Sequence, residues 1–121
     1  MSNSKDSEAL WQATTQLVLC LTTAPSQAEA KTLAHGLVKQ GLAACVNVLP
    51  NVTSVYCWQG EIKESGECLL LIKALKTNAT AIAQFIKSQH SYACPELIAV
   101  EIEAGLSQYL EWLGATPIKI E

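Results

Sequence analysis

The feature that most constrains the fold is a strand-like stretch, residues 68–75, that is apolar on both faces. Every residue in it is apolar except Lys73. A strand of an antiparallel sheet with one solvated face alternates apolar and polar residues. This strand therefore predicts a sheet that is covered on both sides, and much of residues 43–49 has the same character.

A helix with clear start and stop signals precedes these strands. Residues 16–23 are rich in Leu, Val and Thr and are followed by Pro25, which predicts a buried strand. Ser26 and Glu29 then have the spacing of a capping box, in which each side chain accepts a hydrogen bond from the other residue's backbone N–H. Apolar residues repeat at helical spacing until Gly41, which provides a left-handed stop.

The remaining pattern completes a known order of elements. Residues 42–58 and 61–76 predict two long strands, with a bulge at Pro50-Asn51 and a tight turn at Gln59-Gly60. A second helix capped by Asn78, a last strand over 97–104 and a short helix over 107–113 follow. We therefore predict an α+β, ferredoxin-like β-α-β-β-α-β sandwich with a long β-hairpin and a short C-terminal helix. It would span residues 16–116, after a flexible N-terminal segment over 1–15.

The composition predicts association between copies of the chain. Of 121 residues, 50% are hydrophobic and only 16% are charged, against about 25% charged in typical domains. Two helices would cover one face of the sheet and leave the apolar second face open. Burial of that face between copies, in a closed cyclic arrangement, would remove it from water.

Charge and cysteine usage exclude several classes of protein. The net charge is −3 and the chain has no cluster of basic residues, which argues against nucleic acid and anionic membranes as partners. Five cysteines without a C-x-x-C pair fit neither a disulfide framework nor a zinc ribbon. No apolar run is long enough to span a bilayer. We expect a cytoplasmic protein with buried thiols.

The loop over residues 90–96 is the candidate functional site. It places the imidazole of His90, the thiol of Cys94 and the carboxylate of Glu96 within seven residues, and these are groups that bind divalent metals. The alternative is a histidine that stabilises the end of a helix, with Glu96 in solvent. Nothing in the sequence gives Cys94 and His90 an orienting group or an oxyanion hole, so we predict no catalytic residues and no enzyme.

Several segments together resemble the CutA divalent-cation tolerance family. The resemblance covers residues 17–115 in the expected order. The segments that carry it are Thr23-Ala24-Pro25, Leu42-Ala43-Ala44-Cys45-Val46-Asn47, Tyr56-Cys57-Trp58-Gln59-Gly60, His90-Ser91-Tyr92-Ala93-Cys94-Pro95-Glu96 and Tyr109-Leu110-Glu111-Trp112-Leu113.

The resemblance implies a homotrimer with a role in divalent-cation tolerance and binding of copper, Cu²⁺, or another divalent cation. By position it makes His90 and Glu96 the candidate metal ligands. Thr22 stands where some members have a cysteine, which removes a soft ligand, and Ser91 stands where the family usually has a proline, which is expected to loosen the loop. The alternative function is a trimeric module, similar to the PII signalling family, that binds a small ligand or a protein between subunits.

Overall fold

The computed structural model describes residues 10–120, which form a small sheet, a larger sheet and three α-helices. The strands are β1 (Trp11–Ala13), β2 (Leu17–Ala24), β3 (Cys45–Trp58), β4 (Glu61–Leu75), β5 (Ile98–Glu101) and β6 (Ala104–Leu106). The helices are α1 (Gln27–Lys39), α2 (Ala79–Gln89) and α3 (Ser107–Ala115), with a 3₁₀ turn over Lys76–Asn78 before α2.

The larger sheet has the predicted ferredoxin-like topology. Its strand order is β3-β4-β2-β5, and every neighbouring pair is antiparallel. The two central strands, β4 and β2, include the apolar residues 68–75 and most of the predicted buried strand over 16–23, while most of the stretch over 43–49 lies on the edge strand β3. The prediction of an α+β fold with the order β-α-β-β-α-β is therefore confirmed.

The start of α1 follows the predicted capping signal only in part, because the Glu29 carboxylate accepts the backbone N–H of Ser91 instead of that of Ser26. The Ser26 hydroxyl accepts a hydrogen bond from the N–H of Glu29 at 3.1 Å, and Gly41 has a φ of +72° after the helix. Asn78 occupies the N-cap position of α2 as predicted, but its side chain makes no cap bond. Its amide instead donates to the Leu42 carbonyl at 3.3 Å, which ties α2 to the chain that leaves α1.

The hairpin of β3 and β4 extends past the rest of the sheet. Gln59 and Gly60 both have positive φ, 51° and 81°, as a type I′ turn requires. Asn51 has a φ of 63° at a shift in the β3–β4 register, so the predicted bulge and turn are both present. The pairing of β2 with β4 ends where Ala24 meets Cys68, and beyond that point β4 pairs with β3.

The helices cover the two hydrophobic faces of the sheet to different extents. Helices α1 and α2 pack on one face, where Leu33, Leu37, Leu70, Ile72 and Ile82 are fully buried. On the other face, α3 covers only one end. The rest of this face, which we call the open face, has rows of paired side chains: Ile98–Leu21–Leu71 and Val100–Leu19–Lys73.

A short strand near the N-terminus was not predicted. Trp11–Ala13 forms β1 and pairs with β6, inside the segment that the sequence assigned to a flexible region. Residues 1–9 of that segment lie outside the described residues. A strand of three residues is too short to show a period of two, and its partner lies about ninety positions away, so no local pattern indicates it.

Candidate functional site

The loop over residues 90–96 is attached to the end of β2 through the imidazole of His90. Its Nε2 lies 2.7 Å from the Thr23 carbonyl oxygen. A carbonyl can only accept, so Nε2 carries the hydrogen. The other nitrogen, Nδ1, accepts the backbone N–H of Tyr92 at 3.0 Å. The side chain of His90 is 0% exposed, and both of its nitrogens are satisfied within the protein.

This arrangement places His90 behind the surface of the site. A metal ion needs a free lone pair on imidazole, and the lone pair of Nδ1 is used by Tyr92. The histidine therefore positions the loop that carries Tyr92, Cys94 and Glu96. Coordination of an ion by His90 would require one of its two hydrogen bonds to break.

Glu29 fixes the same loop to α1. Its Oε2 accepts the backbone N–H of Ser91 at 2.9 Å and lies 3.5 Å from Nδ1 of His90. The hydrogen bond from Ser91 holds the pKa of Glu29 below its usual value, with a smaller contribution from His90. A proline at position 91 would have no N–H to donate. Ser91 therefore connects the loop to the helix, where the sequence had led us to expect a looser loop.

The attachment of Glu29 predicts a dependence of stability on pH. The folded pKa of Glu29 is lower than the unfolded one, so its contribution is complete above the unfolded value, about 4.3. It is lost as the pH falls through the folded value. We expect Glu29→Gln to be less stable than wild type at pH 7 and closer to it at pH 3, in equilibrium unfolding. Glu111→Gln, at an exposed position of α3, is the control; an equal deficit for Glu29→Gln at both pH values would contradict the assignment.

The far end of the loop is held by Thr22. The Thr22 hydroxyl is fully buried and donates to the backbone carbonyl of Glu96 at 2.6 Å. Thr22, which the resemblance marked as the loss of a soft ligand, is thus used here for an internal hydrogen bond. Because only the backbone of Glu96 takes part, its carboxylate remains exposed.

The loop and the outer part of the hairpin enclose a cleft of about 610 Å³. The hydroxyl of Tyr92 donates to Oε2 of Glu67 on β4 at 3.0 Å, and this bond joins the two walls. Burial, and then the hydrogen bond and charge of Glu67, raise the pKa of Tyr92 to about 12. The side chains that give the cleft its character are Tyr56, Trp58, Glu67, Tyr92, Cys94 and Glu96.

The sequence found one wall of this cleft and missed the other. It selected Glu96 and Cys94, which line the cleft, and His90, which is buried behind it. It treated Tyr56 and Trp58 as packing residues and did not consider Glu67. The signal available was that Tyr56 and Trp58 are two apart on one strand and so share a face, but their distance from the loop follows only from the fold.

Over residues 10–120, no group of three or more His, Cys, Asp and Glu side chains is placed to hold a metal ion. One chain thus supplies separate donors, the carboxylates of Glu67 and Glu96 and the thiol of Cys94, along one cleft. In the same range, none of the helices has the length and apolar character needed to cross a membrane.

Comparison with known proteins gives a consistent result. Residues 18–116 match the model of a family described as CutA1 divalent ion tolerance protein. The divalent-cation tolerance protein CutA of Thermus thermophilus is 44% identical over 93 residues, which are 77% of this chain and 90% of that protein. The CutA homolog of Xenopus laevis is also 44% identical, but the match spans 61% of that longer protein.

Solved structures show the same similarity. The divalent cation tolerance protein of Thermus thermophilus superposes with a TM-score of 0.82 at 40% identity, over 84% of this chain and 99% of that one. CutA from Synechococcus elongatus superposes with a TM-score of 0.82 at 38% identity, over 85% and 91% of the two chains.

Proposed function

The chain belongs to the CutA1 divalent ion tolerance family, and from this premise we propose that it acts as a non-catalytic homotrimer that binds Cu²⁺ weakly. The observation that carries the metal part is the cleft, where carboxylates and a thiol face the same space. These donors bind divalent transition metals, and among the divalent ions of the first row Cu²⁺ generally binds such sites most tightly. Tolerance would then arise because the protein takes up the free ion.

Assembly is supported by the apolar side chains that a single chain leaves in water. Ile98 and Val100 on β5 are 56% and 51% exposed, and the partly buried Leu19, Leu21 and Leu71 continue the same open face. Each such side chain contributes about 1.5–3 kcal/mol when it is fully buried. Exposed patches of this kind mark interfaces, and a closed trimer would bury the open face of every copy.

The proposed ligands of Cu²⁺ are Glu96 and His90. Glu96 is exposed in the cleft and can bind an ion without rearrangement. His90 can bind only if Nδ1 gives up the N–H of Tyr92, or Nε2 gives up the Thr23 carbonyl. Because one hydrogen bond in a buried region must be lost, we expect weak binding.

A calorimetric titration with Cu²⁺ tests this proposal. We expect wild type to bind a defined number of ions per protomer, and Glu96→Gln and His90→Ala to bind at least about tenfold more weakly. Glu96→Gln keeps the size of the side chain and is the cleaner variant, because its side chain lies at the surface. Light scattering on each sample reports whether the trimer is intact.

The matched control for this titration is Glu101→Gln. Glu101 is an exposed carboxylate on β5 that accepts a hydrogen bond from Lys76, and it is not among the residues of the cleft. This variant is expected to bind Cu²⁺ like wild type. Equal binding by wild type and Glu96→Gln, or no binding at all, would reject the metal site.

We propose that the protein is cytoplasmic, and the absence of disulfides among its five cysteines supports this location. None of the five forms a disulfide, and free thiols persist in a reducing compartment. The expectation of buried thiols is confirmed for Cys20 and Cys68 and is wrong for Cys57 and Cys94, which are exposed. Among the relatives, one protein from Oryza sativa is named as chloroplastic and one from Archaeoglobus fulgidus as periplasmic.

A second candidate function is a trimeric module that binds a small ligand. The cleft supports it, because about 610 Å³ lies within the range of ligand sites, about 300–1,000 Å³. The two candidates differ in what fills the same space. A ligand that binds in the absence of metal favours the second.

A further inference from the structure

The cleft combines two kinds of surface that together select a particular ligand chemistry. Three aromatic side chains, Tyr56, Trp58 and Tyr92, line it together with two carboxylates, Glu67 and Glu96. A hydrated metal ion gains little from aromatic walls, and an anion is repelled by the carboxylates. A cation that is both charged and apolar uses both surfaces.

The two tyrosines of the cleft use their hydroxyls within the protein. The hydroxyl of Tyr92 is bonded to Glu67 at 3.0 Å, and that of Tyr56 lies 2.9 Å from the hydroxyl of Ser65. Both phenols are therefore already engaged with the wall. Trp58 is 53% exposed in the single chain, and indole is the aromatic group with the strongest attraction for a cation.

The charge of the cleft is negative. Its described lining contains Glu67 and Glu96 and no lysine. Lys63 stands opposite Tyr56 in the hairpin register, and its ammonium lies 3.8 Å from the carboxylate of Glu61. That ion pair offsets the charge of Lys63, while Glu67 and Glu96 give the cleft its negative charge.

We propose that this cleft binds a small organic ammonium ion, with the alkyl groups against Trp58 and Tyr56 and the charge near Glu96 and Glu67. This inference rests on the second function proposed above, and it names the class of ligand. It does not depend on Cu²⁺ binding.

The test compares two probes that have the same shape and differ in charge. Choline and 3,3-dimethylbutan-1-ol differ only in that a quaternary nitrogen replaces a quaternary carbon. Both are titrated calorimetrically into the full chain in buffer with a chelator, so that metal ions take no part. We expect saturable binding of choline and at least about tenfold weaker binding of the neutral alcohol.

Variants locate the site. Trp58→Leu keeps an apolar side chain but removes the π face, and Glu96→Gln removes the charge at constant size. Each is expected to weaken choline binding by about three- to tenfold. Trp112→Leu is the control, because Trp112 is similarly exposed, at 45%, but stacks on Tyr109 of α3; it should bind choline like wild type.

Three outcomes would overturn the inference. Equal affinity for both probes would show an apolar cleft without selection for charge, and no choline binding at millimolar concentration would show that the cleft takes no ammonium ion. Unchanged binding in both Trp58→Leu and Glu96→Gln would place any choline elsewhere. The molar mass of each sample is also measured by light scattering, and each sample is titrated with Cu²⁺. Loss of the trimer and loss of Cu²⁺ binding are therefore recorded separately from loss of choline binding.

Discussion

Replacing Ile98 with lysine is expected to turn the assembled protein into monomers at micromolar concentration. Ile98 is 56% exposed in the single chain, so the substitution costs the isolated fold little. In the proposed trimer the same side chain is buried in a row with Leu21 and Leu71. Loss of the burial of its exposed part, about 1–2 kcal/mol, weakens each subunit contact by about 5- to 30-fold, and an unpaired buried ammonium weakens it further.

The control for this experiment lies on the same strand. Ala99 is exposed and follows Ile98, so its side chain points to the opposite face of the sheet. Ala99→Lys adds the same charge and is expected to leave the mass measured by light scattering unchanged. A monomeric wild type would reject the trimer, and an equal loss of mass in both variants would reject the open face as the interface.

Replacing His90 with alanine is expected to lower the free energy of unfolding by about 2–4 kcal/mol. The substitution removes a buried ring and leaves the Thr23 carbonyl and the Tyr92 N–H without their partners. Buried polar groups that lose a partner are among the few causes of effects this large. Urea unfolding at a fixed protein concentration measures it, since the stability of an oligomer depends on concentration.

The two histidines of this chain provide a matched pair. His35→Ala makes the same change at an exposed position of α1 and is expected to alter stability by no more than about 0.5 kcal/mol. His90→Gln should recover part of the loss, because its amide both donates and accepts. If His90→Ala unfolds at the same urea concentration as wild type, the imidazole does not hold the loop.

The local signals in the sequence were good predictors of the elements, because each depends on residues close together in the chain. The positive φ at Gln59 and Gly60 and the bond between Ser26 and Glu29 connect neighbours within three positions. Such features follow from short-range sterics and hydrogen bonding. Where a local signal had a distant competitor it held only in part: Asn78 stands at the N-cap of α2, but its side chain bonds to Leu42.

The candidate site was predictable only as far as the loop itself. The sequence marks residues 90–96 as rich in metal-binding groups, yet it cannot show that the imidazole turns inward. That orientation is set by the Thr23 carbonyl, 67 positions earlier in the chain. The second wall, with Glu67, is joined to Tyr92 across 25 positions, and nothing periodic in the sequence connects them.

The sequence by itself determined the order of the elements of the larger sheet and its helices, and the apolar character of both faces of its central strand. These follow from side-chain periodicity, which is a property of the chain alone. Only the tertiary structure decided that His90 is a buried support, that Thr22 and Ser91 fasten the loop, and that aromatic and acidic side chains meet in one cleft. The physical reason is that a buried polar group takes whichever partner the packed chain brings within hydrogen-bond distance, and in this protein those partners come from distant strands and helices.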